Sequence, residues 1–241
     1  KTGDDGIHAD ETSLISGGTI NISKSYEGIE GSKVNITGGE ISIVASDDGI
    51  NAAGGKDESG FGAFKDRFSS ASSDCGITIS GGIIYVDASG DGLDSNGFLN
   101  VTGGEIYVDG STSDGDSAFD YDSSAAITGG TVIAAGSSGM AQNFGSNSTQ
   151  GSILLNVQGA ANSEIKITDK NGNVLASFIP SKKYSCAIIS CPDLKQGETY
   201  TVTAGGNETS VTLDSLIYGS GKPGGGQNGN NRPGGNPQGR K

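Results

Sequence analysis

A glycine doublet that returns every twenty-odd residues constrains the fold of this 241-residue chain more than any other feature. It reads Ser16-Gly17-Gly18, Thr37-Gly38-Gly39, Ser80-Gly81-Gly82, Thr102-Gly103-Gly104 and Thr128-Gly129-Gly130. Gly17 and Gly38 are 21 positions apart, Gly81 and Gly103 22, and Gly103 and Gly129 26. Gly38 and Gly81 are 43 apart, which is two periods or one period with an insertion. Short strands joined by Gly and Asp turns at such a period are the pattern of a β-solenoid. No single repeat can bury its own apolar face, so neighbours must stack. Alternation after each doublet predicts inward rows at Ile20 and Ile22, Ile41 and Ile43, Ile84 and Val86, Ile106 and Val108, and Val132 and Ala134. Ile15, Ile36, Ile79, Val101 and Ile127, each just before a doublet, predict a further row. Each aliphatic side chain so buried contributes about 1.5–3 kcal/mol.

A second phrase alternates with the first. Asp47-Asp48-Gly49-Ile50-Asn51 and Gly90-Asp91-Gly92-Leu93-Asp94 share an acid, a glycine, an aliphatic residue and then a carboxylate or amide. Asp4-Asp5-Gly6-Ile7-His8 is an earlier copy, Tyr26-Glu27-Gly28-Ile29-Glu30 a worn one, and Asp116-Ser117-Ala118-Phe119-Asp120 a degraded later one. Stacking at about 4.8 Å turns a recurring residue into a row. Stacked carboxylates repel unless protonated or paired with cations. Between Arg67 and Lys166 the chain has no Lys, Arg or His, although acids are frequent there. A lone Asp in a turn is an ordinary solvated turn former, and His8 is read that way too. A row of acids without counter-charges is different. Carboxylate and amide oxygens are what Ca²⁺ takes, six to eight at a time. The expected calcium ligands are Asp47, Asp48, Asn51, Asp91, Asp94, Asp116, Asp120 and Asp122.

The expected organisation is all-β. Residues 1–149 form the solenoid, with a loop inserted at 54–74; residues 150–218 form an antiparallel β cap or small β domain; and 219–241 is a disordered Gly/Asn/Pro-rich tail. In the C-terminal part Lys170-Asn171-Gly172-Asn173 predicts a hairpin turn. The insertion carries Lys56, Lys65 and Arg67, the basic cluster of the repeat region. A formal net charge of −13 argues against nucleic acid as a partner, and no apolar run is long enough for a transmembrane helix. Three cysteines do not make a disulfide framework, and a Cys186–Cys191 pair and two structural thiols both stay open. Tyr85 and Tyr107 hold matching outward positions, where their rings are expected side by side on a flat face. They are either a platform for sugar rings, with Asp87 and Asp109 accepting from hydroxyls, or a cross-strand pair that stabilises the sheet.

The chain up to about residue 218 resembles a clostridial carbohydrate-binding β-helix family. The resemblance is carried by Ser46-Asp47-Asp48-Gly49-Ile50-Asn51-Ala52, Gly90-Asp91-Gly92-Leu93-Asp94-Ser95-Asn96-Gly97, Phe119-Asp120-Tyr121-Asp122 and Gly136-Ser137-Ser138-Gly139-Met140-Ala141-Gln142. It implies a right-handed parallel β-helix, bound calcium, and a secreted or surface-attached bacterial protein. The implied partners are cellulose and acidic sugars such as polygalacturonate, with no demonstrated catalysis. Polysaccharide lyases of similar fold hold calcium in an Asp-Asp-Gly-X-Asp turn, which Asp47-Asp48-Gly49-Ile50-Asn51 resembles with Asn in the last place. A lyase needs a base to take the proton α to the uronate carboxylate, and only Lys56, Lys65 or Arg67 could serve, near Asp48. The expectation is therefore a non-catalytic, calcium-dependent binder, with Tyr85, Tyr107, Lys56, Lys65 and Arg67 as the sugar contacts. The alternatives are a pectate-type lyase acting by β-elimination, or an adhesin or spacer module.

Overall fold

The computed structural model describes residues 1–53 and 74–219. Lys56, Lys65 and Arg67 of the expected insertion, and nearly all of the expected tail, lie outside the described residues. Within them the chain is all-β, without a helix, and its sheets are mostly parallel.

Five long strands carry the glycine doublets: β1 (Thr12–Ser25), β3 (Lys33–Ala45), β5 (Gly76–Ala88), β7 (Phe98–Asp109) and β9 (Ser124–Gly136). They pair in parallel in that order, each one repeat out of step with the last. The register shifts at every doublet. Its second glycine has a positive φ in all five strands, between 90° and 110°, a conformation that costs an L side chain about 1–2 kcal/mol. Between the long strands lie four short ones: β2 (Ile29–Glu30), β4 (Ile50–Ala52), β6 (Leu93–Ser95) and β8 (Phe119–Tyr121). These form a second, four-stranded parallel sheet in the order β2-β4-β6-β8. The acidic phrases lead into these short strands.

The inward rows are buried as alternation requires. Ile36, Ile41, Ile79, Ile84, Ile106 and Ile127 are all at 0 % exposure, and they meet Ile50, Leu93 and Phe119 from the short strands in one core. At the edge, Ile20 is only partly buried because no earlier strand covers β1. The glycine of each acidic phrase sits hard against this core. A Cβ on Gly49 would collide with Val86, and one on Gly92 with Val108 and the Ala118 carbonyl.

The chain then changes character. β13 (Cys186–Ser190) joins β9 antiparallel, β10 (Ser152–Leu155) joins β13, and the two-residue β16 (Ile217–Tyr218) closes the eight-stranded sheet. The remaining strands, β11 (Ile165–Thr168), β12 (Val174–Phe178), β14 (Thr199–Ala204) and β15 (Asn207–Thr212), form an antiparallel sheet in the order β12-β11-β14-β15. A second core, which includes Ile133, Ala135, Ile165, Ile167, Val202 and Val211, joins this sheet to the outer face of β9 and β13. Residues that alternate between core and solvent in β5 are therefore buried on both faces from Val132 to Gly136. The expected hairpin turn is present: Asp169 accepts from the backbone N–H of Asn171 and Asn173, each at 2.8 Å, with Gly172 at φ 84°. Cys75, Cys186 and Cys191 are free and buried, so the option of a Cys186–Cys191 disulfide is discarded. Burial pushes the Cys186 thiol up to about 12.

Candidate functional site

Register assembles the acidic phrases into two rows. The residue before each phrase glycine, or before Ala118 in the last phrase, makes the first: Asp5, Glu27, Asp48, Asp91 and Ser117. It is knitted together by backbone donors. Glu27 N donates to Asp5 Oδ1 at 3.3 Å, Asp91 N to Asp48 Oδ1 at 2.6 Å, and Ser117 N to Asp91 Oδ1 at 2.5 Å. The residue two after the glycine makes the second: His8, Glu30, Asn51, Asp94 and Asp120, with Glu30 paired to Asn51, Asn51 to Asp94, and Asp94 to Asp120 in the short sheet. Gln142 ends this row by donating to Asp120 Oδ1 at 2.6 Å. The two rows touch where Asn51 Nδ2 donates to Glu27 Oε1 at 2.9 Å.

The rows gather negative charge out of water. Burial first, and then the neighbouring charges of Glu30, Asp48 and Asp5, push Glu27 up to about 9. Burial and then Asp48 push Asp91 up to about 8. Glu30 rises to about 7, with burial the main cause and the His8 contact opposing it. Asp48 and Asp94 keep part of their surface in solvent, yet burial of their carboxyl groups and the charges of Asp94 and Asp91 respectively hold both well above the usual carboxylate range. Asp120 is raised by burial and by Asp122. Lysine offers no relief: the described lysine–carboxylate ion pairs involve Asp87, Glu164 and Glu198 instead.

Two buried oxygens in the rows have no donor at all, Glu27 Oε2 and Asn51 Oδ1. Both residues are 3 % exposed. A buried acceptor without a partner is worth about 1–3 kcal/mol of destabilisation, more where it is charged. Carboxylate and amide oxygens are the ligand type that a hard divalent cation takes. Glu27, Asp48, Asn51 and Asp94 offer oxygens of that type, with Asp91 and Asp120 beside them in the rows, while the one group of three Asp, Glu, His or Cys ligand atoms within 4.8 Å of one another among the described residues is Asp5, His8 and Glu30.

The expected ligands are not all placed alike. Asp48, Asn51, Asp91, Asp94 and Asp120 come together. Asp116 does not take the row position assigned to its phrase, because the hydrogen bond to Asp91 puts Ser117 there. Asp116 instead accepts from Ser111 Oγ at 3.3 Å, and its charge reaches Asp48, Asp91 and Asp120 from the side. Asp122 is exposed and acts on Asp94 and Asp120 through charge. Asp47 turns to the Tyr26 hydroxyl, whose ionisation it suppresses. Glu27 and Glu30 also stand in the rows, although they were not among the expected ligands and the worn phrase carries an acid at both positions. His8 is solvent-exposed as expected, yet its ring also contacts Glu30, Asp5 and Asp10.

The tyrosine pair takes the second of its two expected forms, a cross-strand pair. Tyr85 and Tyr107 stack face to face, with centroids 5.0 Å apart and planes 14° apart. Phe178 of β12 packs on Tyr107 at 5.5 Å. Rings stacked along the repeat axis turn their faces to one another and not outward. Tyr85 alone keeps an open side, at 44 % exposure, over the smaller Ser42 that precedes it in register. Asp109 is no free sugar acceptor: it is 4 % exposed and takes bonds from Ser181 N, Ser181 Oγ and Lys182 N. Asp87 pairs with Lys182 at 2.8 Å.

Comparison of the chain with family models, with curated proteins and with solved structures returns no match.

Proposed function

We propose that the chain is a right-handed parallel β-helix, closed at its C-terminal end by the antiparallel sheet, that binds polysaccharide in a calcium-dependent manner and does not cleave it. The observation that supports this reading most is the pair of in-register acid rows with two buried oxygens lacking donors. Calcium would neutralise the rows and present open coordination positions to an acidic sugar. Glu27, Asp48, Asn51 and Asp94 would hold it, and the backbone donors of Asp91 and Ser117 would fix the orientation of the carboxylates around it.

Charge decides what such a surface can take. A chain of net charge −13 repels a polyuronate, so polygalacturonate binding needs a bridging cation, while a neutral glucan such as cellulose does not. Cleavage would need a base beside the calcium, and no lysine ion pair reaches the rows among the described residues. On this reading the protein works outside the cell, secreted or attached to a bacterial surface.

The test is retention of the purified protein on polygalacturonate and on cellulose, with calcium and with excess chelator, while the ultraviolet absorbance of unsaturated uronate is followed in the same tubes. Polygalacturonate retention should disappear with chelator, cellulose retention should persist, and no absorbance should develop. Equal retention of both polymers in chelator would remove the calcium bridge. A rise in absorbance would make the protein a lyase. Retention on neither polymer would favour the spacer or adhesin reading.

A further inference from the structure

The first acidic phrase differs from the later ones in a residue type. Where the other repeats carry Glu30, Asn51, Asp94 and Asp120, it carries His8, the lone histidine of the chain. The ring is placed by the same register that builds the rows, since Ile7 bridges to Ile29 in parallel. Its Nδ1 meets Glu30 Oε2 in a short contact and lies 3.6 Å from Asp5 Oδ2. One ligand atom from each of Asp5, His8 and Glu30 lies within 4.8 Å of the other two.

Two further observations point to a metal at this cluster. On the far side of the ring, Nε2 faces Asp10 Oδ1 at 3.1 Å. Asp10 is an exposed carboxylate outside the cluster. In the tautomer with the proton on Nε2, Asp10 accepts it and the Nδ1 lone pair can serve a metal shared with Asp5 and Glu30. A carboxylate behind the ring is how metal-ligating histidines are oriented and made more basic. Beside the cluster, Glu27, whose N–H donates to Asp5 Oδ1 at 3.3 Å, has its Oε2 buried with no donor. Glu30 is the carboxylate whose charge acts on Glu27 most strongly, and Asp5 also acts on it.

We propose that Asp5, His8 and Glu30 form a binding site for a divalent transition metal of the zinc class, bordered by the buried carboxylate of Glu27, with Asp10 as the residue that positions His8. An imidazole nitrogen with carboxylate oxygens suits zinc and its neighbours, with donor atoms at about 2.0–2.2 Å. Calcium takes oxygen ligands, and the rows from Asp48 onward supply only those. One continuous pair of rows thus changes metal preference along its length because a single position changes from imidazole to carboxylate or amide. The competing arrangement is an imidazolium held by Glu30 as an ion pair, with no metal. The proposal is independent of the polysaccharide reading, and its test uses no sugar.

The experiment is calorimetric titration of the metal-stripped full chain with Zn²⁺ in excess Ca²⁺, together with the visible absorption of the Co²⁺-loaded protein. Zinc should bind despite the calcium, and cobalt should develop ligand-field bands of a nitrogen–oxygen site. Both should be lost in His8→Gln. Asp10→Asn should weaken zinc binding by roughly 10- to 100-fold without abolishing it, and because Asp10 is exposed this variant serves if His8→Gln fails to fold. Calcium binding, measured in parallel, should be unchanged in Asp10→Asn. No zinc binding by the wild-type chain would leave only the ion pair and overturn the proposal. So would zinc binding undiminished in both variants, or full displacement of zinc by calcium, since either places the ion in the oxygen-only rows.

Discussion

Asp91 and Asp169 are both turn aspartates that accept backbone hydrogen bonds, yet their environments push them in opposite directions. In the C-terminal sheet, Asp169 is surrounded by donors from Asn171 and Asn173 and is held below the usual range, chiefly by its bond from the Asn173 side chain. In the repeat region, Asp91 receives one backbone donor and faces Asp48, Asp116 and Asp120, and it rises to about 8. An antiparallel hairpin folds different residues back on one another, so an acid can meet amides. Parallel stacking of a repeat sets each residue beside its own copy, so acids meet acids. The repeat stabilises its aliphatic positions by the same rule that makes its acidic positions unfavourable when ionised.

The largest effect should come from the core side of this contrast. Phe119 is at 0 % exposure and packs on Phe144 at 5.5 Å, whereas Phe178 on the antiparallel sheet is only partly buried. Phe119→Ala should destabilise by about 3–5 kcal/mol in a denaturant melt, and Phe178→Ala by clearly less; equal losses would mean that the two cores share stability evenly. Next is the cation. Calcium at a hundred times its dissociation constant should add about 2.7 kcal/mol per site, read as a raised melting temperature. The gain should disappear in Asp48→Asn/Asp94→Asn and persist in Asp169→Asn.

The pH dependence sharpens the same comparison. Glu27, Asp91 and Glu30 have folded values of about 9, 8 and 7, above unfolded carboxylates at about 4. Between those limits the folded chain binds more protons than the unfolded one, so in chelator stability should fall as pH rises from about 5 through 9. Calcium binds the deprotonated form and should flatten that slope. Asp169 has the opposite sign: its contribution is present above its unfolded value and is lost on acidification. A chelator melt that gained stability over pH 5–9 would break the assignment.

The smallest effect concerns the ring stack. Tyr107 is held between Tyr85 and Phe178, while Tyr85 has one open side. Tyr107→Ala should therefore lower the melting temperature more than Tyr85→Ala, each ring pair being worth about 0.5–1.5 kcal/mol. Only Tyr85→Ala, with little change in melting, should report on sugar contact in a retention assay.

Much of this was legible in the chain before folding. The doublets Gly17-Gly18 through Gly129-Gly130 announced five like strands, and Ile36, Ile79, Val101 and Ile127 are buried as their alternation required. The acid phrases identified the residues that line up, because a repeat written in sequence becomes a row once neighbours stack. The placement of Ser117 beside Asp91 was decided by the tertiary structure, since it depends on the hydrogen-bond register of the corner and not on how acidic the phrase looks. So were the orphaned oxygens of Glu27 and Asn51, the contacts of His8 with Glu30 and Asp10, and the anchoring of residues 181–182 by Asp109. All but the His8–Asp10 contact depend on residues many positions apart, brought together by side-chain direction and burial. Composition and periodicity determined which residues recur; only packing decided which of their atoms face one another and which are left without a partner.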